Sequence, residues 1–282
     1  MINDITIRLL ESVDEFQACH QVQKVAWQFP DLLIIPYTQI ITVQQNGGAV
    51  LGAFDGAELI GFVFGYLGRQ RTRPLYLFSQ RMGVLPAYQG KGIGERLKWA
   101  QRAWAVEQGL DRVLWTYDPL ESPNAWLNIT KLGGLARHYE RDIYGQHNTP
   151  LHNHLPSDRL LVEWELLSER VLARLSADWS PPTVDELLTQ ADPPLNPVSW
   201  DSRGHPCSGP SDLSRDERTL LVEVPAAWQD LRKADMALAA DWRGKTRKSF
   251  EHYLAQGYVV SGYASGAVAG RRRNVYQLEK NG

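Results

Sequence analysis

The segment MGVLPAYQGKGIG, residues 82–94, constrains this chain more than any other stretch. An apolar strand pattern ends near Val84, closely spaced glycines follow, and a helical pattern begins directly after them. Gly90, Gly92 and Gly94 allow the backbone to approach a ligand closely. The first NH groups of the following helix have no partner inside the helix, and the positive end of the helix favours an anion. The segment therefore predicts a site for a phosphate or pyrophosphate group.

The two most common nucleotide loops fit the glycine spacing poorly. A P-loop has Ser or Thr directly after its lysine, whereas Lys91 is followed by Gly92. A dinucleotide-binding loop that begins at Gly92 would need a third glycine where this chain has Leu97. The pattern that remains is Gln-x-x-Gly-x-Gly, formed by Gln89, Gly92 and Gly94. It resembles the acyl-CoA loop of the GNAT superfamily of N-acyltransferases.

The order of the predicted elements supports this resemblance independently of the loop. Ser12 and Glu15 form a capping-box signature, Asp55-Gly56 is typical of a hairpin turn, and Ser122-Pro123 begins a helix. The order over the first 167 residues is β-α-α-β-β-β-α-β-α-β-β, which is the order of the superfamily. We expect an α/β (α+β) fold with a GNAT-type mixed central sheet flanked by helices, and a smaller C-terminal α/β unit.

Three further segments extend the resemblance over most of the chain. They are SPNAWLNITKLGG at 122–134, PSDRLLVEWEL at 156–166, and WRGKTRKSFEHYLAQGY at 242–258. They resemble a group of longer bacterial GNAT proteins known as predicted acyltransferases. That group is similar to succinyl-CoA-dependent N-succinyltransferases that act on amino acids, including D-amino acids.

We expect three regions along the chain. Residues 1–167 form the GNAT acyltransferase domain, and residues 168–216 form an extended connection rich in proline, serine and aspartate. Residues 217–282 form a β-α-β-β unit for packing, lid formation or dimerisation. The stretch 218–225 echoes 112–119, so this tail is either a degenerate half-copy of the acyltransferase sheet or a chance match.

Composition indicates an ordinary soluble protein. The 282 residues are 43% hydrophobic and carry a formal net charge of -2, so no overall field attracts nucleic acid or an anionic membrane. Arg271 to Arg273 is interpreted as a solvated turn. Cys19 and Cys207 are too few for a disulfide framework. Charged residues or glycines interrupt every apolar stretch, and the N-terminus lacks a signal-peptide pattern, so we expect a cytoplasmic protein.

The resemblance implies the residues that bind the co-substrate. The Val84 backbone would pair with the pantetheine arm, and Gln89 to Gly94 would hold the pyrophosphate through backbone NH groups. Lys91 either contacts a phosphate or faces water. Asn124 and Asn128 lie one helical turn apart and are candidates to orient the pantetheine amides, although Asn124 is also explained as a polar residue of the first helical turn. The residues expected to bind acetyl-CoA or succinyl-CoA are therefore Val84, Gln89, Gly90, Lys91, Gly92, Ile93, Gly94, Asn124 and Asn128.

The sequence does not name a general base. A lysine-like amine with a pKa near 10.4 costs roughly 4 kcal/mol to neutralise at pH 7, so a weak base or a dry pocket is needed. Many superfamily members carry Glu or His on the strand before the loop, where this chain has only Ser79 and Gln80 as short polar groups. Asp118 is the first candidate base, acting through water. Its alternative interpretation is a turn aspartate before Pro119.

The acid that protonates the leaving thiolate is also missing from its usual place. Superfamily members commonly have a tyrosine four residues before the glycine that ends the helix, and Ile129 stands there. Tyr139 or Tyr144 could replace it, with a core or interface aromatic as the alternative for each. A thiolate with a pKa of ~8.5, taking cysteine as the reference, also leaves without an acid.

The acceptor and acyl ends of the site are less constrained. Trp27 falls in the loop that resembles the acceptor wall of the family, with core packing as its alternative, and Ser79 and Gln80 are further substrate candidates. A succinyl carboxylate would need a cation. The arginines available for it are Arg69, Arg71, Arg73 and Arg137, and the first three are equally explained as a solvated hairpin turn.

No metal is expected. His147, His152 and His154 form a histidine-rich segment, yet no Cys, Asp or Glu completes a set of zinc ligands around them.

The function predicted from the sequence is acyl-CoA-dependent N-acyl transfer. An acetyl or succinyl group would pass to the amine of a small molecule, with an amino acid favoured. The alternative is a catalytically silent acyl-CoA sensor or assembly module, which the absent strand base and Ile129 favour. The expected partners are the small amine and a second copy of the chain as a homodimer, with neither nucleic acid nor membrane.

Overall fold

The computed structural model describes residues 5–70, 73–145 and 155–280. These residues divide into two compact units. Among the described residues, the first unit comprises 5–70, 73–115 and Trp164–Ser168, and the second comprises 116–145, 155–163 and 169–280. The bounds of these units differ from the predicted regions 1–167, 168–216 and 217–282, which stay a prediction.

The first unit contains five strands and three helices. They are β1 (Thr6–Leu9), α1 (Val13–Trp27), α2 (Tyr37–Gln45), β2 (Ala49–Asp55), β3 (Glu58–Gln70), β4 (Arg73–Val84), α3 (Ile93–Glu107) and most of β5 (Arg112–Tyr117). The Ser12 capping box is formed as predicted, because its hydroxyl accepts from Glu15 N and the Glu15 carboxylate accepts from Ser12 N. Gly56, with φ 60°, makes the expected turn between β2 and β3.

The sheet of the first unit has the order β1-β2-β3-β4-β5. Neighbouring strands are antiparallel except for β4 and β5, which pair in parallel at Leu77 with Val113 and at Phe78 with Leu114. Alternate residues of a strand face opposite sides of a sheet. In β3, Phe62 therefore belongs to the core cluster of α1 and α2, whereas its neighbour Val63 belongs to the cluster of α3. The sheet is thus covered by helices on both faces.

The second unit begins at the end of β5. Its elements are α4 (Ser122–Ala125), a π-helical turn (Trp126–Lys131), β6 (Leu135–Glu140), β7 (Arg159–Glu165, whose last two residues belong to the first unit), α5 (Glu169–Ala173), α6 (Val184–Gln190), β8 (Val198–Trp200), β9 (Pro206–Ser208), β10 (Thr219–Val224), α7 (Trp228–Ala234), α8 (Met236–Ala255), β11 (Tyr258–Val268) and β12 (Arg271–Lys280). Its main sheet has the order β7-β6-β11-β12-β10 with antiparallel neighbours throughout. Strands β8 and β9 form a separate two-stranded sheet.

These elements confirm the predicted fold class and the predicted order of elements. The tail also contains the expected strand, helix, strand and strand, with one difference. The long helix expected after β10 is divided into α7 and α8, because Asp235 caps α8 by accepting from Leu238 N at 2.9 Å.

Residues 168–216 were predicted to form an extended connection, but only part of this segment is extended. It contains α5, α6 and the β8-β9 hairpin. Thr183 and Glu186 form a second capping box at the start of α6. Val184 and Leu187 of this helix are buried in a cluster with Leu221. A local cap and a buried apolar pair therefore stabilise a helix in a composition typical of loops.

The interpretation of Arg271 to Arg273 as a solvated turn is wrong. The turn lies at Ala269 and Gly270, which have φ 48° and 75°, and the three arginines begin β12. Each has a partner: the Arg271 guanidinium lies 4.4 Å from the Trp200 ring centroid, Arg272 donates to Ser265 Oγ, and Arg273 forms an ion pair with Glu223.

Across the described ranges, no helix has both the length and the apolar character needed to cross a bilayer.

Candidate functional site

The glycine loop has the predicted conformation. Strand β4 ends at Val84, one 3₁₀ turn spans Pro86–Tyr88, and α3 begins at Ile93. Gly92 is the N-cap of α3 with φ 78°, and Gly90 has φ 73°. Both conformations are left-handed, which glycine adopts without the steric cost that a side chain would bring.

Open space surrounds the loop. At Gly90 and Gly92, no described atom beyond the adjacent residues of the chain lies within 4 Å of the position that a Cβ would occupy. Arg96 N donates to Gly92 O in the first hydrogen bond of the helix ladder. The NH groups of the three helical residues before Arg96 have no acceptor within the helix. They lie at the N-terminal end of α3, which has 15 residues. The geometry suits an anion at this end of α3.

The residues at either side of the loop are less open. Ile93 is buried and belongs to the α3 core cluster, and Gly94 allows a close approach, because a Cβ there would lie 3.3 Å from Met82 Cε. Val84 O accepts a hydrogen bond of 2.9 Å from the Gln89 side-chain amide. A pantetheine group that pairs with the Val84 carbonyl would therefore displace Gln89. The exposed Lys91 places its ammonium 5.1 Å from the Tyr88 ring centroid.

Ser79 and Gln80 lie at a β-bulge of β4. The pairing of β3 with β4 passes from Gly65 opposite Ser79 to Phe64 opposite Arg81, so Gln80 is the extra residue. Gln80 is exposed, whereas Ser79 is buried. The two predicted substrate residues thus lie in different environments.

A buried lysine that sequence reasoning missed lies next to Ser79. Lys98 Nζ donates to Ser79 Oγ at 2.9 Å and to Gln101 Oε1 at 3.1 Å, and it lies 3.6 Å from the ring centroid of Trp115. Burial lowers the pKa of this amine well below its usual value. One signal was present in the sequence: Lys98 directly follows Leu97, an apolar residue of the predicted helix stripe. In the structure Leu97 and Gln101 are both fully buried.

Trp27 packs within the first unit. Its ring stacks on Phe29 with centroids 5.5 Å apart and meets Phe62 edge-on at 6.4 Å. The Arg81 guanidinium lies 5.7 Å from the Trp27 ring and donates to Gln23 Oε1 at 2.9 Å. These contacts agree with the core-packing alternative, and the substrate role stays a prediction.

In the second unit, Asn124 and Asn128 do not lie on one regular α-helix. Asn124 is exposed in α4, whereas Asn128 is 5% exposed in the π-helical turn. A π-helical turn inserts an extra residue into a helix and is frequent at functional sites. Ile129, which stands at the place of the family tyrosine, is fully buried in the core.

Asp118 is held in a buried ion pair. Its carboxylate accepts from Nη1 and Nη2 of Arg243 at 2.9 and 2.5 Å, and Arg159 Nη1 lies 4.0 Å away. Burial alone would raise the pKa of this carboxyl, but the charge and hydrogen bonds of Arg243 outweigh burial, and the pKa is lowered. The role of Asp118 as a base stays a prediction, and the ion pair makes its carboxylate a weaker proton acceptor.

Tyr139 belongs to the same charged network. Its hydroxyl donates to Asp158 Oδ2 at 2.8 Å, and Arg247 donates to both oxygens of that carboxylate at 2.8 Å. Burial raises the pKa of Tyr139 well above its usual value. Tyr144 is exposed, and the Arg159 guanidinium lies 5.4 Å from its ring centroid. As with Asp118, the catalytic roles of these two tyrosines stay predictions.

Glu121 is a second titratable residue that sequence reasoning missed. Its backbone NH donates to Asp118 O in the turn after β5, and its carboxylate accepts a hydrogen bond from the Gln229 amide. Burial raises the pKa of this carboxyl to about 7, with a further contribution from the negative charge of Asp118. A carboxyl that titrates near neutral pH is common at functional sites. Its position between two Xaa-Pro pairs gave it the appearance of a loop residue.

The arginines considered for an acidic acyl group belong to different strands or lie outside the described residues. Arg69 is exposed near the end of β3, and Arg137 of β6 lies 3.2 Å from Glu163. Arg71 and the histidines His147, His152 and His154 lie outside the described residues. Within the described part of the chain, no three His, Cys, Asp or Glu side chains are arranged to hold a metal ion.

A comparison with protein families identifies the range that contains the loop. Residues 11–125 match the model described as the acetyltransferase (GNAT) family. No curated protein matches the chain.

Solved structures of several acetyltransferases are similar to the chain at low sequence identity. The ribosomal-protein-S18-alanine N-acetyltransferase of Escherichia coli is 15% identical, with a TM-score of 0.47, covering 58% of this chain and 94% of its own. The protein yncA of Salmonella typhimurium, solved with acetyl-CoA, is 18% identical with a TM-score of 0.47. The match covers 58% of this chain and 95% of that protein. A GNAT-family acetyltransferase of Streptococcus pneumoniae is 16% identical, with a TM-score of 0.46, covering 57% and 98%.

The family model matches the part of the chain that contains the glycine loop, in agreement with the resemblance drawn from that loop, and it leaves the succinyltransferase-like group untested.

Proposed function

We propose that the protein is an acyl-CoA-dependent N-acyltransferase that acts on a small amine, with an amino acid as the favoured acceptor. One observation carries the proposal: the loop that resembles the acyl-CoA loop lies inside the matched range and has two left-handed glycines in open space before α3. The donor would be acetyl-CoA or succinyl-CoA. Its diphosphate would accept from the backbone NH groups between Gln89 and Gly94, and its pantetheine arm would pair with Val84.

The proposed reaction is direct transfer. The neutral amine attacks the thioester carbonyl and forms the carbon-nitrogen bond, the carbon-sulfur bond breaks, and CoA departs as a thiolate. The attacking nitrogen gives its extra proton to solvent or a base, and the thiolate takes up a proton from solvent or an acid. The amine must first lose its proton, which costs roughly 4 kcal/mol at pH 7 for a lysine-like amine. The candidates proposed for proton transfer are Asp118 acting through water, and Tyr139 or Tyr144 as the acid.

The environments of these candidates favour transfer without an acid. The raised pKa of Tyr139 means that its hydroxyl keeps its proton more firmly than a free phenol does. A thiolate with a pKa of ~8.5 departs without help near neutral pH. An enzyme of this kind would rely on orientation of the two reactants, which is worth up to ~7–11 kcal/mol in favourable cases.

A second candidate function is an acyl-CoA sensor without catalysis. Two features favour it. The ion pair with Arg243 makes Asp118 a weaker candidate base, and the buried Ile129 stands where superfamily members commonly have the tyrosine acid. Binding without turnover would distinguish this protein from an enzyme.

The first experiment measures binding and turnover on the full chain. Calorimetry with acetyl-CoA and succinyl-CoA tests the loop, and release of free thiol with a panel of L- and D-amino acids tests transfer. We expect binding of at least one thioester and thiol release with at least one amine. Binding without release from any amine supports the sensor, and no binding of either thioester refutes both functions.

A pair of variants tests the loop itself. Gly92 and Gly109 have φ 78° and 73°, and no atom lies within 4 Å of a Cβ at either position. Valine is strained to a similar degree at both, by ~1–2 kcal/mol or more. Gly92→Val should reduce CoA affinity at least tenfold, because it displaces the NH groups of the loop. Gly109→Val, at the far end of α3, should leave the affinity unchanged, and equal affinities in the two variants would contradict the assignment.

A further inference from the structure

A small cleft in the second unit lies between the start of α4 and the start of α7. Its volume is about 160 Å³, and its lining includes Glu121, Ala226, Ala227, Trp228, Gln229 and Asp230. One water occupies ~30 Å³ in the liquid, so the cleft admits a ligand of a handful of non-hydrogen atoms. The two alanines leave room beside the polar groups.

The charged groups of the lining are both acidic. Glu121 and Asp230 are carboxylic acids, and none of the described Lys, Arg or His residues lines the cleft. Glu121 is half-buried and receives one hydrogen bond from Gln229. Desolvated carboxylates gain most from a charged donor. A protonated amine in the cleft would supply that donor to Glu121 and approach Asp230 as well.

The lining also contains a donor that lacks an acceptor. Trp228 is 2% exposed, and its indole Nε1 has no hydrogen-bond partner among the described residues. A buried NH without a partner is destabilising, because it has lost its hydrogen bonds to water. A ligand that carries an oxygen beside its ammonium group could accept from this NH while its amine meets Glu121.

We propose that this cleft binds a small primary amine with a neighbouring carboxylate or hydroxyl oxygen, through Glu121 and Trp228. This inference goes beyond the proposed function, and binding of the amine does not depend on CoA. Glu121 acts here as the counter-ion of the ammonium group.

Several charges act on Glu121 and set the pH range of binding. Burial and Asp118 raise its pKa to about 7, while Gln229, Arg232 and Arg243 oppose that rise. An ammonium ligand requires the ionised carboxylate, so binding releases the proton of any molecule in which Glu121 is protonated. At pH 7 this amounts to about half a proton for each ligand bound, with more released at pH 6 and little at pH 8.

The test is calorimetry of the full chain with four probes and no CoA. L-alanine and D-alanine carry both groups, ethylammonium lacks the oxygen, and propionate lacks the amine. Titrations in buffers of different ionisation enthalpy give the number of protons released. We expect at least one alanine to bind at least tenfold more tightly than propionate, with proton release that falls from pH 6 to pH 8.

Variants assign the two contacts. Glu121→Gln keeps the shape of the side chain and should weaken alanine binding at least tenfold and abolish proton release. Trp228→Phe should weaken alanine binding and leave ethylammonium unchanged, because only the NH is lost. Glu58→Gln, an exposed carboxylate of the β2-β3 hairpin, is the matched control and should bind like the wild type.

The inference is overturned if neither alanine binds, if Glu121→Gln binds as well as the wild type, or if wild-type binding releases no proton at pH 6. The proton count needs no variant, so it decides even where a substitution impairs folding. An acetyl-CoA titration of the same sample keeps the two proposals apart. CoA binding without amine binding refutes this cleft alone, and amine binding without CoA binding refutes the proposed function alone.

Discussion

The buried amine of Lys98 should make the stability of the protein depend on pH in a way that one substitution removes. Lys98 is 3% exposed, and its pKa is lowered by burial. In the unfolded chain a lysine keeps its proton up to a pH of ~10.4, whereas the folded protein loses it at a much lower pH. Between these two values the unfolded state binds one more proton, so the free energy of unfolding rises with pH.

The size of the effect follows from the number of groups. One proton changes the free energy of unfolding by up to ~1.4 kcal/mol for each pH unit. From pH 7 to pH 9, the wild type should therefore gain up to ~3 kcal/mol relative to Lys98→Met. The absolute difference at one pH also contains the lost hydrogen bonds to Ser79 and Gln101, so the slope against pH is the quantity to compare.

Urea unfolding at pH 7, 8 and 9, followed by circular dichroism, measures this slope. Lys248→Met is the matched control, because Lys248 is an exposed helical lysine in α8. It should run parallel to the wild type. If Lys98→Met also ran parallel to the wild type over these two pH units, the amine would keep its proton in the folded state and the reasoning would be wrong.

Three other perturbations test buried groups of the fold. Arg243→Met should destabilise the protein by ~3–5 kcal/mol in urea unfolding, since it leaves the Asp118 carboxylate buried without its partner; addition of Asp118→Asn should restore part of that loss, and a purely additive result would argue against the pair. Burial raises the pKa of the Cys19 thiol to about 12, so a disulfide reagent at pH 8 should label Cys207 rapidly and Cys19 only after unfolding; rapid labelling of Cys207→Ser would contradict this. Burial keeps Glu121 protonated to a pH of about 7 in the folded state, against ~4.3 in the unfolded chain, so Glu121→Gln should gain stability relative to the wild type as the pH rises from 5 to 8. Matching stability curves over that range would show that the carboxyl is ionised throughout.

The sequence predicted the local features of the first unit well, because each depends on neighbouring residues. The Ser12 cap, the Gly56 turn and the glycine conformations before α3 follow from short patterns with a steric or hydrogen-bonding cause. Cys19 follows Phe16 by three residues and precedes Val22 by three, which is the spacing of one helix face, and it is fully buried. Helical periodicity was sufficient for that inference.

The features that were missed depend on residues far apart in the chain. Asp118 and Arg243 are separated by 125 positions, so nothing near Asp118 indicated that its carboxylate would be neutralised. Arg273 and Glu223 are separated by 50 positions, and the arginine run therefore had the appearance of a solvated turn. Lys98 was missed for the opposite reason, because a lysine on a helix usually faces water.

Composition was a poor guide to residues 168–216. Prolines and serines indicated an extended segment, yet one capping box at Thr183 and two buried side chains are enough to place α6 there. Intrinsic propensity is a weak predictor where tertiary packing supplies the stabilisation.

The position of Arg243 on α8 has a consequence for dividing this chain. A protein shortened to residues 1–167 would retain the whole matched range and the glycine loop, but it would lack the guanidinium that neutralises Asp118 and the strand β11 that pairs with β6. The edge of β6 would then be unpaired and available for aggregation. The Asp118 carboxylate would have lost its counter-charge, which is destabilising for a buried acid. Expression of residues 1–167 alone should therefore give insoluble material. Residues 217–282, which contain Arg243 and β11, are needed to stabilise Asp118 and β6.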